Sequence, residues 1–382
     1  MTKELAHMLP KELRKKFHLA VNGYEPDRIV DEMNKNTLLH LLVRATDVED
    51  ELKLLIEAGA DLNIKNLFGH TPLGCATSPS AIKVLLDAGA DPYLANNKGE
   101  APLHYAIYTK KNDLMEAFLN SNPSRMTGLR IKTLHQDDTP LHIAAWTNNI
   151  KAAKLLIEAG ANPNVLNLEY LTPLHCAAKA NDPEMMDLLV KYGADINKFK
   201  LPETPYPLHM CLRANLADMA FRLIEHGADI DLQDNEGQTP LMIAIKTCSS
   251  DVIMKLLEYK PDVNKKDNDK QTVIHKIYPN VDRKALAIIL KATKNINAKD
   301  NNGDTPLHNL FSEKQSNSTQ DRKTQGLVTI FVGRGANVNL KNKDGESACD
   351  LARKNNFDFS VYKLACAERN QSKNASKPGP KK

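Results

Sequence analysis

The chain has 382 residues, 42% apolar and 26% charged, the balance of an ordinary folded chain. No apolar run approaches the ~18 residues that span a bilayer, so no membrane insertion is expected, and the charged start, residues 1–16, lacks the apolar core of a secretory signal. The net charge of +4 is misleading, because Arg369, Lys373, Lys377, Lys381 and Lys382 put +5 into the last 14 residues; subtracting them leaves −1 for the body, which weakens any argument for nucleic acid.

Residues 1–36 read as two helices, Leu9–Val21 and Glu25–Met33, joined by Asn22-Gly23, with Leu13, Phe17 and Val30 sealing whatever follows. The cluster Arg14-Lys15-Lys16 reads as a solvated face rather than a lipid or nucleic-acid contact. From residue 37 one phrase recurs. Its fullest form is Thr139-Pro140-Leu141-His142-Ile143-Ala144-Ala145, and its starts fall at 37, 71, 101, 139, 172, 206, 239, 272, 305 and 347. The spacings are 34, 30, 38, 33, 34, 33, 33, 33 and 42 residues, a period that means stacked supersecondary units.

One unit, 139–171, shows the logic. Thr139 suits an N-cap and Pro140 the first helical position. Leu141, Ala144 and Ala145 make a narrow apolar face, and Thr147-Asn148-Asn149 breaks the helix. Ala152, Ala153, Leu155, Leu156 and Ile157 make a second helix, Gly160 caps it in the left-handed region, and Ala161-Asn162-Pro163-Asn164 leads out. Glycine exits recur at 59, 89, 160, 193, 227 and 335.

Three departures stand out. Residues 120–138 carry extra length with Arg125, Arg130, Ile131 and Lys132, which predicts a longer projecting loop. The polar segment 312–323 predicts a mobile excursion between two helices. Lys260 and Thr293 replace the capping glycine and Pro279 interrupts a turn, so residues 260–295 are expected to be a soft spot. Residues 368–382 read as a disordered basic tail.

These features place the chain in a family. The Thr-Pro-Leu-His start, the paired leucines of the second helix and the Gly-Ala-Asp/Asn exit, all in phase, resemble ankyrin repeats over residues 37–367. The resemblance implies an all-α solenoid of stacked helix-turn-helix units with projecting loops, in which residues 1–36 cap the first repeat. Seven of the twelve histidines (40, 104, 142, 175, 209, 275 and 308) take the fourth position of the phrase. The resemblance implies that they hydrogen-bond locally and tie repeats together, which removes most of the residues that look catalytic. His175 and Cys176, adjacent on one helix, point in different directions and form no nucleophile–base pair. Carboxylates such as Asp229 and Asp231 sit at loop exits. No phosphate-binding or nucleophile-elbow motif occurs, so no enzyme, no cofactor and no metal is expected. Six scattered cysteines without paired spacing predict reduced thiols and a cytoplasmic setting. Family members can be hydroxylated on an exit asparagine, a slot held here by Asn63, Asn164, Asn197, Asn264 and Asn339, where loop hydrogen bonding is the plainer role.

By the same resemblance the binding surface is the concave face. Its eighth phrase position reads Arg44, Ser78, Tyr108, Trp146, Lys179, Arg213, Lys246, Pro279, Ser312 and Lys354. Tyr108 and Trp146 predict an aromatic floor, Lys179, Arg213 and Lys246 a basic wall. Phe68, His135, Glu169 and Tyr170 at loop tips and Arg130 and Lys132 in the long loop complete the candidate set. The alternative is that Trp146 packs over a neighbouring helix and the cations only solubilise. The expected function is that of a monomeric, non-catalytic scaffold, adaptor or inhibitor for a protein segment with an apolar anchor and acidic residues. It could serve as a eukaryotic regulator or as a bacterial effector in a host cytosol. A nucleic-acid-associated protein and a divergent enzyme are the competing readings.

Overall fold

Each repeat begins where Thr or a substitute caps a helix opened by proline, whose missing N–H is one the first turn leaves unpaired anyway. In the computed structural model residues 29–357 are described, apart from 32, 46, 122–129, 131, 134–135, 198–205, 279–280, 313–317 and 356. The two predicted N-terminal helices up to residue 28, the cluster at 14–16, Arg125, Ile131, His135, Pro279 and the tail lie outside the described residues. The chain divides into two units, residues 1–195 and 196–382.

The first unit opens with a hairpin. Strand β1 (Ile29–Asp31) pairs antiparallel with β2 (Asn36–Thr37), Ile29 opposite Thr37 and Asp31 opposite Asn36. This corrects the predicted helix at Glu25–Met33. The turn is held by Asp31, which accepts hydrogen bonds from the Asn34 and Asn36 amides at 2.8 and 2.9 Å, an arrangement no helix provides. First helices α1 (Leu38–Leu42), α3 (Pro72–Cys75), α5 (Pro102–Tyr108), α7 (Pro140–Trp146) and α9 (Pro173–Lys179) stack on one another. Second helices α2 (Glu49–Glu57), α4 (Pro79–Asp87), α6 (Asn112–Ser121), α8 (Ile150–Glu158) and α10 (Pro183–Lys191) stack behind them. Small residues let the layers close: Ala144, Ala145, Ala152 and Ala153 are fully buried beside Leu141 and Leu156.

The second unit repeats the plan with first helices α11 (Pro207–Arg213), α13 (Pro240–Thr247), a single 3-10 turn Val273–Lys276, α16 (Pro306–Ser312) and α18 (Ala348–Lys354). Second helices are α12 (Ala217–Glu225), α14 (Ser250–Glu258), α15 (Arg283–Ala292) and α17 (Ser318–Gly333). The sixteen residues of α17 run through half of the polar segment predicted as an excursion, so that insertion lengthens a helix. All six exit glycines have φ between 88° and 105°. Lys260 takes the same region at 55°, the strain expected of a non-glycine there, whereas Thr293 leaves its helix extended (φ −71°, ψ 122°) and carries none.

Candidate functional site

The loop tips are built by one amide or carboxylate per repeat. In the first unit Asn66 accepts hydrogen bonds from the N–H groups of Phe68 and His70, both at 3.0 Å, and Asn96 does the same for Lys98 and Glu100 at 2.9 and 3.0 Å. Successive tips are then laced together, Leu67 N–H to Asn34 O at 2.9 Å and Leu168 N–H to Gln136 O at 2.8 Å. The tight turn forces the residue two before each helix cap into the left-handed region. Glycine fills it at 69, 99, 237, 303 and 345, but Lys35, Asp137, Tyr170 and Lys270 hold it at φ of 53° to 62°.

Of the sequence-predicted residues, the structure brings Trp146, Lys179 and the 169–170 tip together. The Lys179 ammonium lies 5.5 Å from the centre of the Trp146 ring and 3.3 Å from the Glu169 carboxylate. Trp146 is half-buried, so the indole is not bare. Tyr170 (39%), Leu168 (56%) and Tyr108 (43%) are exposed around it. Burial, then the charges of Glu100 and Asp138, raise the Tyr108 phenol. Burial likewise raises Asp138, against a lowering hydrogen bond from Asn167 at 2.8 Å. Lys132 pairs with Asp137 at 3.1 Å, and Arg130 is exposed with no ion pair among the described residues. The field here is mixed in sign. Phe68, 55% exposed, stands on the tip between the first two repeats.

In the second unit Arg213 binds Asp234 at 2.7 Å and reaches Glu236 at 3.9 Å. The Asp234 side chain is only 4% exposed and organises its own tip, accepting from the N–H groups of Glu236 and Gln238. Lys276 repeats the arrangement on buried Asp267 at 2.9 Å. Arg213 is therefore a counter-ion for the loop beside it. Lys246 is exposed and has no ion pair among the described residues.

The phrase histidines form a ladder. His142 Nδ1 accepts from the Thr139 N–H at 3.2 Å and lies 2.7 Å from the Thr139 hydroxyl, so the proton sits on Nε2, which donates to Leu171 O at 3.0 Å. His40, His209, His275 and His308 reach the following repeat in the same way, at His70 O, Gln238 O, Ala298 O and Glu346 O. Burial pushes His40, His142, His209 and His275 down, His142 to about 4. Cys176 and Cys211 are buried with their thiols pushed up, Cys211 to about 12, which leaves them protonated. Among the described residues no group of three or more His, Cys, Asp or Glu is arranged to hold a metal ion. No helix among them is long and apolar enough to cross a membrane.

The exit asparagines also act between repeats. Asn164 donates to Gly193 O at 2.9 Å and accepts from Asp195 N–H at 2.8 Å. Asn63, Asn197 and Asn264 accept equivalent bonds, and so does Asn297, which the sequence reading missed because Thr293 and Lys294 displace the Gly-Ala of the usual exit triplet.

The repeats also match known proteins. The family profile for ankyrin repeats in tandem matches residues 77–167, 131–200, 174–267 and 208–297, and that for the single ankyrin repeat matches 34–67. The chain belongs to the ankyrin-repeat family. Among solved structures it is similar to the ankyrin repeat domain of Bcl-3, described as a unique member of the IkappaB protein family. The identity is 27%, over 59% of this chain and 99% of that one, with a TM-score of 0.54. No curated protein matches the chain. An ankyrin stack is a protein-binding scaffold.

One feature of that face escaped the sequence reading. Between the first and third ankyrin repeats lies a cavity of about 320 Å³, lined by Arg44, Phe68, His70, Cys75, Tyr105 and Lys111 among others. Its signal was Gly74, standing where the phrase carries histidine, in a repeat of only 30 residues.

Proposed function

We propose that this ankyrin protein is a non-catalytic adaptor or inhibitor whose first unit holds an extended segment of a partner protein against Tyr108, Trp146 and Tyr170. The observation that carries the reading is the backbone of Tyr170. Its φ is 58°, at a tip position that five other repeats fill with glycine. A side chain in that region costs on the order of 1 kcal/mol, and 39% of this residue stays exposed. Lys35, Asp137 and Lys270 hold the same position at φ of 53° to 62°, so it is the outward aromatic ring on such a turn, and not the strain alone, that singles out Tyr170.

Exposed Leu168 on the same tip and half-buried Trp146 extend an apolar contact of the residue types that dominate interface energies. An acidic residue of the partner competes with Glu169 for Lys179. In the second unit Lys246 is the cation free to take another, with Arg213 retained by Asp234. Arg130 and Lys132 on the long loop and Phe68 on its tip are outlying contacts. The free cysteines fit a reducing, cytoplasmic setting.

The test is partner capture with the wild-type chain, Trp146→Ala and Tyr170→Gly, with melting measured for each. Proteins retained by the wild type and lost from both variants, at unchanged melting, support the reading. An identical set of captured proteins sinks it.

A further inference from the structure

The second repeat breaks its own pattern. At the fourth position Gly74 stands where the repeats on either side place His40 and His104. Helix α3 then stops after four residues, against seven in α5, α7 and α9, and Ala76 turns extended at ψ 138°. The chain ties itself to the preceding repeat instead: Thr77 N–H donates to Val43 O at 3.2 Å and its hydroxyl to Arg44 O at 3.1 Å. A missing imidazole and a missing helical turn leave the cavity of about 320 Å³.

We propose that this notch receives a carboxylate side chain from a partner protein segment, with an apolar neighbour of that residue lying on Phe68 and Tyr105. Arg44 enters from the first repeat and Lys111 from the third, and no Asp or Glu lines the space. Neither cation has an ion pair among the described residues, unlike Lys179 and Arg213 on the same inner face of their repeats. Of the carboxylates nearby, Asp31 is held by Asn34 and Asn36, and Glu100, whose charge reaches His70, accepts from the Asn96 amide at 2.8 Å. Burial holds the Cys75 thiol up at about 11 and keeps His70 low, so neither adds a competing charge. The rim is aromatic: Phe68 is 55% and Tyr105 40% exposed, and Tyr105 meets His70 edge-on at 5.7 Å. The volume is at the bottom of the roughly 300–1,000 Å³ range of ligand sites, enough for one acidic side chain and part of its neighbour. Arginine beside a partly desolvated carboxylate gives charge-assisted hydrogen bonds.

This rests on the protein-binding reading only for the origin of the carboxylate, and the notch is separate from Tyr170. The probe is therefore a peptide and not a captured protein. Unlabelled acetyl-Leu-Glu-Leu-amide is titrated into the full chain by isothermal calorimetry, with its glutamine counterpart as the neutral control. Location is read from iodoacetamide labelling of each cysteine by peptide-resolved mass spectrometry. The expected result is binding of the glutamate peptide, selective slowing at Cys75 but not at Cys248, and affinity about tenfold weaker in Arg44→Gln at unchanged melting. Absence of binding, equal binding of the two peptides, no slowing at Cys75, or wild-type affinity in Arg44→Gln overturns the proposal. So does inorganic phosphate displacing the glutamate peptide at a concentration where acetate does not, which assigns the notch to a phosphate group.

Discussion

Acid should unfold the first unit partly through His142, and the size of the effect follows from its surroundings. The imidazole is fully buried, its Nδ1 already accepts from Thr139 and its Nε2 proton is committed to Leu171 O. Burial, the largest cause, depresses its folded value from 6.5 to about 4. For a base depressed in the fold, the unfolded chain takes up the proton first. The stabilisation is thus complete above 6.5 and is lost as pH falls toward about 4. Linkage over that window puts the loss at about 2 kcal/mol between about pH 7 and about pH 5. His40, His209 and His275 are depressed in the same direction, so the wild-type chain alone cannot isolate one residue. The measurement is urea unfolding of wild type and His142→Gln at both pH values, followed by the fluorescence of Trp146, the single tryptophan, on the same helix. The wild type should lose about 2 kcal/mol more than the variant. If both lose the same amount, or if imidazole NMR shifts titrate near 6.5 in the folded chain, the buried-ladder account of this residue is wrong.

Other substitutions separate frame from surface. Arg213→Gln, which strands the nearly buried Asp234 carboxylate, should lower stability by about 1 kcal/mol, and Lys246→Gln by less than about 0.5, read by urea unfolding. Asn164→Ala removes two inter-repeat bonds and should cost about 1 kcal/mol, whereas Asn339→Ala, whose side chain makes no hydrogen bond among the described residues, should melt like the wild type. Gly74→Ala should raise stability by about 0.5 kcal/mol, since an added Cβ meets His70 Nδ1 at 3.4 Å, His70 Cβ at 3.7 Å and Pro102 Cγ at 3.8 Å, none of them a clash. Tyr170→Gly should change stability by less than about 1 kcal/mol, relief of the left-handed strain being offset by glycine's unfolded-state entropy, while partner capture falls.

Most of the frame is legible in the sequence because each repeat carries its own instructions within a few residues. Thr139, Pro140 and His142 set a helix start by local bonds, and Gly160 ends the pair by a φ that few other residues tolerate. What was misread depends on partners farther along the chain. Residues 29–31 read as helix because their pairing with Asn36 and Thr37 involves few residues and a turn held by Asp31. The polar segment after Ser312 read as an excursion, yet Ser318 onward continues a helix whose buried stretch, Leu327 to Val332, comes later. Arg213 read as wall because its partner, Asp234, lies 21 residues away in the next tip. Lys179, read as wall, and Trp146, read as floor, lie 5.5 Å apart, and Glu169 on the adjoining tip, which shares the lysine, makes the local field mixed in sign.

In a repeat chain the informative residues are those that break the phrase where stability gives no reason to. Histidines 40, 142, 209, 275 and 308 and exit asparagines 63, 164, 197 and 264 follow the phrase, and each has its inter-repeat bond, so their chemistry is used within the stack. Tyr206, in place of threonine, leaves His209 Nδ1 without a hydrogen-bond partner, but that atom is buried and presents nothing to a ligand. Gly74 and Tyr170 differ in kind. One removes a buried bond and opens a cation-lined space, the other holds an aromatic ring outward on a turn that favours glycine. Each sacrifices stability that a commoner residue supplies, and each does so on the inner helices or tips of the first unit. A buried glycine that opens a space and an aromatic ring held outward on a strained turn, both in one unit, are the physical grounds on which the proposed binding surface is separated from the scaffold carrying it.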